Sequence, residues 1–152
     1  MQKKILKILK AKNKKKLVCL TAYSKPIAKI LDKHCDIVLV GDSLATAMYG
    51  MKNTHKVNIE TMIRHGISVS SNLKNSLCVI DMPLNSYNNT RQAKKNALLI
   101  FKKTKCDAVK VECDGKNFGI IKSIVGIGIP VMGHIGFTPQ YFKKFKVQGT
   151  VE

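Results

Sequence analysis

Arginine is nearly absent from this chain. Of 27 lysines and arginines only Arg64 and Arg91 are arginines. Arginine is the side chain that forks onto bases and phosphates, so a net charge of +18 does not by itself describe a nucleic-acid reader. No zinc-finger spacing occurs. The joint excess of lysine, isoleucine and asparagine reads as compositional drift of the kind an AT-rich genome produces. It predicts weak, salt-sensitive adhesion to polyanions. A non-catalytic, lysine-rich fragment with that adhesion is one function class left open.

Other absences narrow the field further. No run approaches the ~20 apolar residues of a membrane-spanning helix. The first sixteen residues carry Ile5, Leu6, Ile8 and Leu9, too few and too interrupted for a signal-peptide core. They contain neither arginine nor serine, which a mitochondrial presequence would use. They read as a short amphipathic helix and connector with a solvated lysine face, on a cytoplasmic protein. The five cysteines, Cys19, Cys35, Cys78, Cys106 and Cys113, form no C-x-x-C pair. Odd in number and placed in or beside apolar runs, they predict buried, reduced thiols. No G-x-G-x-x-G opens a first βα turn, so a dinucleotide fold has no positive support.

What is present is a repeated grammar. Asp36-Ile37-Val38-Leu39-Val40-Gly41-Asp42-Ser43 is an apolar run that stops at a glycine, a carboxylate and a hydroxyl. Leu77-Cys78-Val79-Ile80-Asp81-Met82-Pro83, Ala108-Val109-Lys110-Val111-Glu112 and Pro130-Val131-Met132-Gly133-His134-Ile135-Gly136 follow the same rule. Apolar runs without polar alternation are buried parallel strands. Their carboxyl ends are where a rigid sheet presents chemistry. With a further strand at 17–23, strands alternate with helices predicted from Ser24 to about Lys33, at 59–70, at 91–104 and from the Asp114-Gly115 turn through Ile124. Residues 44–56 read as a loop, and residues 137–152 as loop or loop-helix. Ile59, Ile63, Ile67 and Ser70 mark one face of the second of these helices, and Ala93, Ala97, Ile100 and Phe101 the inner face of the third. This is an α/β chain of parallel βα units. A doubly wound sheet fits, but functional groups on consecutive strand ends favour a (β/α)8 TIM-barrel type. Such a barrel usually needs eight strands and about 250 residues. The expectation is one incomplete barrel domain over 1–152, with about five βα units present.

Asp42, Asp81 and Glu112 are hard oxygen ligands on neighbouring strand ends, and parallel neighbours lie ~4.8 Å apart. Mg²⁺ is held by one or two such carboxylates with water and substrate oxygens. Taken singly, Asp42 and Asp81 serve equally well as turn or cap carboxylates. Glu112 alone serves as a structural partner of Lys110, with which it shares a strand face. Ser43 is either an anchor for a substrate carboxylate or a helix cap. His134 is either a donor to a substrate oxygen or a satisfied core histidine. Thr21 and Tyr23 are placed to line a pocket. His34, His55 and His65 are expected at solvent or in loops.

Together, Leu20-Thr21-Ala22-Tyr23, Val40-Gly41-Asp42-Ser43, Asp81-Met82-Pro83, Val109-Lys110-Val111-Glu112, Gly133-His134-Ile135-Gly136-Phe137-Thr138-Pro139-Gln140 and Lys146-Val147-Gln148-Gly149 resemble ketopantoate hydroxymethyltransferases, in order and spacing. The resemblance implies a barrel enzyme of pantothenate biosynthesis. It would transfer a hydroxymethyl group from 5,10-methylenetetrahydrofolate to 3-methyl-2-oxobutanoate, giving 2-dehydropantoate through an Mg²⁺-stabilised enolate. It implies Asp42 and Asp81 as metal ligands, with Glu112 at the metal directly or through water. It implies Ser43, Lys110 and His134 around the oxo acid, with Asp42 and Asp81 also close to it. It implies small-molecule partners, a homo-oligomer at full length, and neither membrane nor specific nucleic acid. The chain departs from the family at Ala45 and at Lys143-Lys144-Phe145, where glycines are usual. The family's general-base glutamate falls beyond Glu152, so no catalytic base is assigned within these residues. Another Mg²⁺-dependent barrel lyase or mutase acting on a 2-oxo acid is the competing enzyme reading.

Overall fold

Five strands lie side by side in chain order. β1 (Cys19–Thr21), β2 (Ile37–Val40), β3 (Leu77–Asp81), β4 (Ala108–Glu112) and β5 (Val131–His134) form one sheet, every neighbouring pair parallel. A doubly wound sheet reverses its strand order partway. This one does not, so the units form an arc of a (β/α)8-type barrel. The computed structural model describes residues 2–113 and 115–141. Asp114, the departure at residues 143–145, the motif at 146–149 and Glu152 lie outside the described residues.

The helices are α1 (Gln2–Lys10), α2 (Lys25–Leu31), α3 (Leu44–Ala47), α4 (Ile59–Ser70), α5 (Thr90–Thr104) and α6 (Phe118–Val125). Local chemistry starts and stops them. Asn58 and Asn89 cap α4 and α5, each accepting the backbone N–H of the third residue on, Thr61 and Gln92. Lys105 ends α5 in the left-handed conformation at φ 53°. Ser24 precedes α2 with Pro26 in the first turn, but its hydroxyl makes no capping bond. No helix among the described residues is long and apolar enough to cross a membrane.

Alternation along the strands separates two faces. Val38, Val40, Cys78, Ile80, Val109 and Val111 point toward the helices and pack with Ala28, Met62, Val69, Ala93, Ala97, Ile100 and Ile124. The other face is apolar at the strand starts. There Ile37, Leu77, Val79 and Ala108 meet Ile5 and Ile8 of α1, with Leu39 and Met132 alongside. The amino-terminal helix thus covers the end of the sheet opposite the chemistry. Its Lys4 lies 3.6 Å from Asp107 and its Lys7 3.8 Å from Asp36, and Lys15 of the following connector lies 2.9 Å from Asp36. Asp32, at the end of α2, ties in the approach to β3 by accepting the backbone N–H groups of Lys74, Asn75 and Ser76. Burial works to raise its pKa, but these bonds outweigh it and hold the carboxyl below its ordinary value.

Several details differ from the sequence expectation. The first strand is shorter than 17–23, and all three of its residues are exposed because it is an edge. Cys19 is therefore exposed, whereas Cys35, Cys78 and Cys106 are buried. Residues 44–47 form a short helix rather than loop. The buried residues of α4 are Met62, Gly66 and Val69, while Ile67 is 45% exposed. Gly66 sets that face, since a Cβ there would sit 2.5 Å from Ile80 Cδ1 and 2.8 Å from Thr104 Cγ2. Ile59 and Ile63 flank this seam at the border of the core.

Candidate active site

The face covered by α1 at its start becomes polar at its end. Asp81 closes β3, Lys110 and Glu112 close β4, and His134 closes β5. The register puts Lys110 beside Asp81 and His134 beside Glu112. Asp42 and Ser43 follow β2 directly in the turn into α3. A Cβ at Gly41 would sit 2.7 Å from Ser43 Oγ, so the glycine lets that hydroxyl keep its place. Ala45 is fully buried in α3, just after that turn.

The charges interlock. Lys110 Nζ lies 2.5 Å from Asp81 Oδ1. The Asp42 backbone N–H donates to Asp81 Oδ2 at 3.0 Å. The sequence paired Lys110 with Glu112, but the bond goes to Asp81. Adjacent strands bring the two ends opposite each other, whereas residues two apart on one strand lie farther along it. Glu112 Oε2 instead accepts the Gln140 backbone N–H at 2.9 Å. His134 Nδ1 is 3.4 Å from Glu112 Oε1, buried and without a hydrogen bond. Burial and then Lys110 hold the His134 pKa below its ordinary value, against the pull of Asp42. A neutral imidazole keeps one N–H with which to donate to a substrate oxygen.

Ser43 Oγ sits 2.8 Å from Tyr23 Oη. The Tyr23 backbone carbonyl lies 2.6 Å from His65 Nδ1, and His65 Nε2 lies 2.7 Å from Tyr49 Oη. His65 is thus a half-buried clasp and not the solvent or loop histidine expected. Its sequence neighbours gave no sign of this, because all its partners are distant in the chain. His55 does lie in a loop, its ring 3.3 Å from the Pro139 carbonyl. Sequence reasoning also assigned no role to Gln140 or Tyr87, both buried here, with Tyr87 Oη donating to Gln140 Oε1. The His134-to-Gln140 motif contained the signal for Gln140. Tyr87 had none, since it stands in an ordinary turn sequence.

The carboxylates carry an electrostatic load. Asp42, Asp81 and Glu112 are 3%, 3% and 1% exposed. Burial pushes Asp81 up to about 6, with Asp42 adding to the rise and Lys110 opposing it. Burial pushes Glu112 up to about 7, against the Gln140 bond and with Asp42 and Asp81 adding. Among the described residues, no group of three or more His, Cys, Asp and Glu side chains is arranged to hold a metal ion. A cation with one or two carboxylates and a water shell asks for less. Hard oxygens, buried and in excess of their one lysine, are a donor set that fits Mg²⁺.

Comparison with known proteins identifies the family. The family model described as ketopantoate hydroxymethyltransferase matches residues 2–152. The 3-methyl-2-oxobutanoate hydroxymethyltransferase of Pelagibacter ubique is 52% identical over 149 residues, covering 98% of this chain and 58% of that protein. That of Anaplasma marginale (strain Florida) is 45% identical, covering 97% of this chain and 54% of that protein. The chain spans about half the length of the curated relatives it matches. Among solved structures, phosphonopyruvate hydrolase with oxalate and Mg²⁺ superposes with a TM-score of 0.65 at 12% identity, covering 84% of this chain and 50% of that one. A 2,3-dimethylmalate lyase of the PEP mutase/isocitrate lyase superfamily gives 0.61 at 12% identity, covering 86% and 52%. At such identities these two speak to the fold alone. The match across residues 2–152 and the identity of the relatives decide the rest: the chain belongs to the ketopantoate hydroxymethyltransferase family.

Proposed function

We propose that this chain binds Mg²⁺ and 3-methyl-2-oxobutanoate, as part of an enzyme that transfers a hydroxymethyl group from 5,10-methylenetetrahydrofolate to give 2-dehydropantoate. The observation that carries the reading is the gathering of Asp42, Asp81, Lys110, Glu112 and His134 on one rim of strand ends. Family membership supplies the chemistry. Asp42 and Asp81 would hold the cation, with Glu112 beside it directly or through water. Once bound, the cation supplies Lewis acidity toward the keto oxygen of the oxo acid.

The chain's own residues do the remaining work. Lys110 places a positive charge where negative charge develops on the oxo acid as C3 loses its proton. Ser43, fixed by Tyr23, donates to the substrate carboxylate. His134, kept neutral by burial and Lys110, donates to an oxygen without adding a second cation. The site's carboxylates are committed to the metal in this reading. The proton on C3 goes to the glutamate that the family places beyond Glu152.

Calorimetry on the purified chain tests this. 3-Methyl-2-oxobutanoate should bind with Mg²⁺ present and fail to bind after chelation, and isobutyrate, which lacks the keto group, should bind in neither case. Oxo-acid binding that ignores Mg²⁺ would overturn the reading.

A further inference from the structure

Gln140 is the residue on which the site's strand ends meet. Its side chain is 5% exposed. Its Nε2 donates to Asp42 Oδ2 at 2.8 Å and to the Met82 carbonyl at 3.1 Å. Its backbone N–H donates to Glu112 Oε2 at 2.9 Å. Its Oε1 accepts the Tyr87 hydroxyl. These partners lie 98, 58, 28 and 53 residues away in sequence. One residue thus joins the ends of β2, β3 and β4 to the loop after β5.

The amide cannot be turned round. With Oε1 and Nε2 exchanged, an oxygen would face the Asp42 carboxylate and the Met82 carbonyl, and an N–H₂ would face the tyrosine hydroxyl. The oxygen would oppose two buried acceptors, leaving each without its donor. The network therefore selects one rotamer of Gln140, and through it one orientation of Asp42, while the backbone N–H of the same residue holds Glu112.

The choice of an amide has a reason. A lysine here would also orient Asp42, but its charge would cancel the negative potential that attracts a cation. A glutamate would add a further carboxylate to a cluster already strained by repulsion. Glutamine donates hydrogen bonds and leaves the net charge untouched. From this geometry we infer that Gln140 is a positioning residue of the cation site, aligning Asp42 and Glu112 and itself held by Tyr87. The inference rests on the Mg²⁺ reading above. Residues that orient metal-binding side chains in this way typically contribute 10- to 100-fold to metal affinity.

Mn²⁺ serves as the probe, followed on the 152-residue chain by calorimetry and by its electron paramagnetic resonance spectrum. Gln140→Leu keeps most of the volume and removes the amide. It should weaken Mn²⁺ about 10- to 100-fold and broaden the bound-ion spectrum. Tyr87→Phe leaves Gln140 in place and removes the hydroxyl that anchors it, together with that hydroxyl's contacts to Tyr141 and the Glu112 backbone. It should weaken Mn²⁺ by a smaller factor in the same direction, with the same spectral change in milder form. Asp42→Asn is the control for the underlying reading. If Asp42→Asn weakens Mn²⁺ while both other variants keep wild-type affinity and spectrum, the positioning role is refuted and the metal site stands. If Asp42→Asn leaves Mn²⁺ binding unchanged, the metal site itself is refuted and the positioning role falls with it.

Discussion

Lys110 and Asp81 face each other across the β3–β4 pairing, Nζ to Oδ1 at 2.5 Å, with side chains only 11% and 4% exposed. Breaking a buried pair by removing one partner costs ~3–5 kcal/mol, because the other charge is left stranded. The cost here should be smaller than that, since Asp81 already sits at about 6 and escapes by taking up a proton. Lys110→Ala should therefore lower the unfolding free energy measurably, and the loss should shrink as pH falls toward 5. Its second effect separates structure from function. Affinity for 3-methyl-2-oxobutanoate should fall at least tenfold, while affinity for Mg²⁺ holds or rises because a competing positive charge has gone. Calorimetric titration of both ligands at pH 8 reads the two effects. A loss of stability with unchanged oxo-acid affinity would make Lys110 a structural partner only.

The raised carboxyls set a pH dependence. In the unfolded chain Asp81 and Glu112 titrate near 4, but in the folded one at about 6 and about 7. Between those values the folded state binds more protons, so stability falls as pH rises. The contribution is complete below about 4 and is lost through about 6 and then about 7. His134 opposes this. Its lowered pKa means the unfolded state binds the extra proton below the ordinary histidine value, so its own contribution grows with pH. Two large carboxyl shifts against one histidine leave a net fall. Urea midpoints from pH 4.5 to 8 should show that fall without metal. Saturating Mg²⁺ should restore most of it above pH 7, where both carboxyls are ionised and the cation binds only the folded state.

How much of this was legible in the sequence follows from the range of each interaction. β3 and β4 were readable because an apolar run closed by a carboxylate is a local pattern, and so were Asp42, Asp81, Lys110, Glu112 and His134. Parallel order was readable from the alternation of strands with helices. The partner of Lys110 was not. Pairing within β4 was visible as spacing, whereas Asp81 becomes its neighbour only through the β3–β4 register. The buried face of α4 was missed for a related reason. The isoleucine stripe is the stronger apolar pattern, but contact with Ile80 and Thr104 is closest at Gly66, where the absence of a side chain carries the information. His65 and Tyr87 have no local signature at all.

The chain of contacts from His65 through Tyr23 to Ser43 predicts a graded response. Tyr23→Phe removes the hydroxyl 2.8 Å from Ser43 Oγ and little else. It should cost ~0.5–1.5 kcal/mol of stability and weaken the oxo acid several-fold, with Mg²⁺ affinity unchanged. His65→Phe acts one step earlier, releasing the Tyr23 carbonyl and Tyr49. It should reproduce the weakening of the oxo acid, and adding Tyr23→Phe should bring little further loss, because coupled residues are not additive. A double-mutant cycle on oxo-acid affinity measures this. Full additivity would mean that His65 does not act through Tyr23.

Asp42→Asn gives the sharpest separation between a carboxylate kept for folding and one kept for a cation. Asparagine retains an oxygen to accept from Gln140 Nε2, so the bond at Asp42 Oδ2 survives in form. What leaves is a negative charge that raises the carboxyls of both Asp81 and Glu112. The metal-free variant should therefore be at least as stable as the wild type at pH 8, and Glu112 should titrate lower. A purely structural aspartate would behave the other way, since removing its charge would forfeit a favourable interaction. The same substitution should weaken Mg²⁺ at least tenfold, because the oxygen left behind is a neutral dipole. Opposite signs are thus expected in two measurements on one protein: a urea midpoint that rises or holds without metal, and a much smaller rise when Mg²⁺ is added. A variant that loses stability without metal and gains the full wild-type increment with it would remove Asp42 from the cation site.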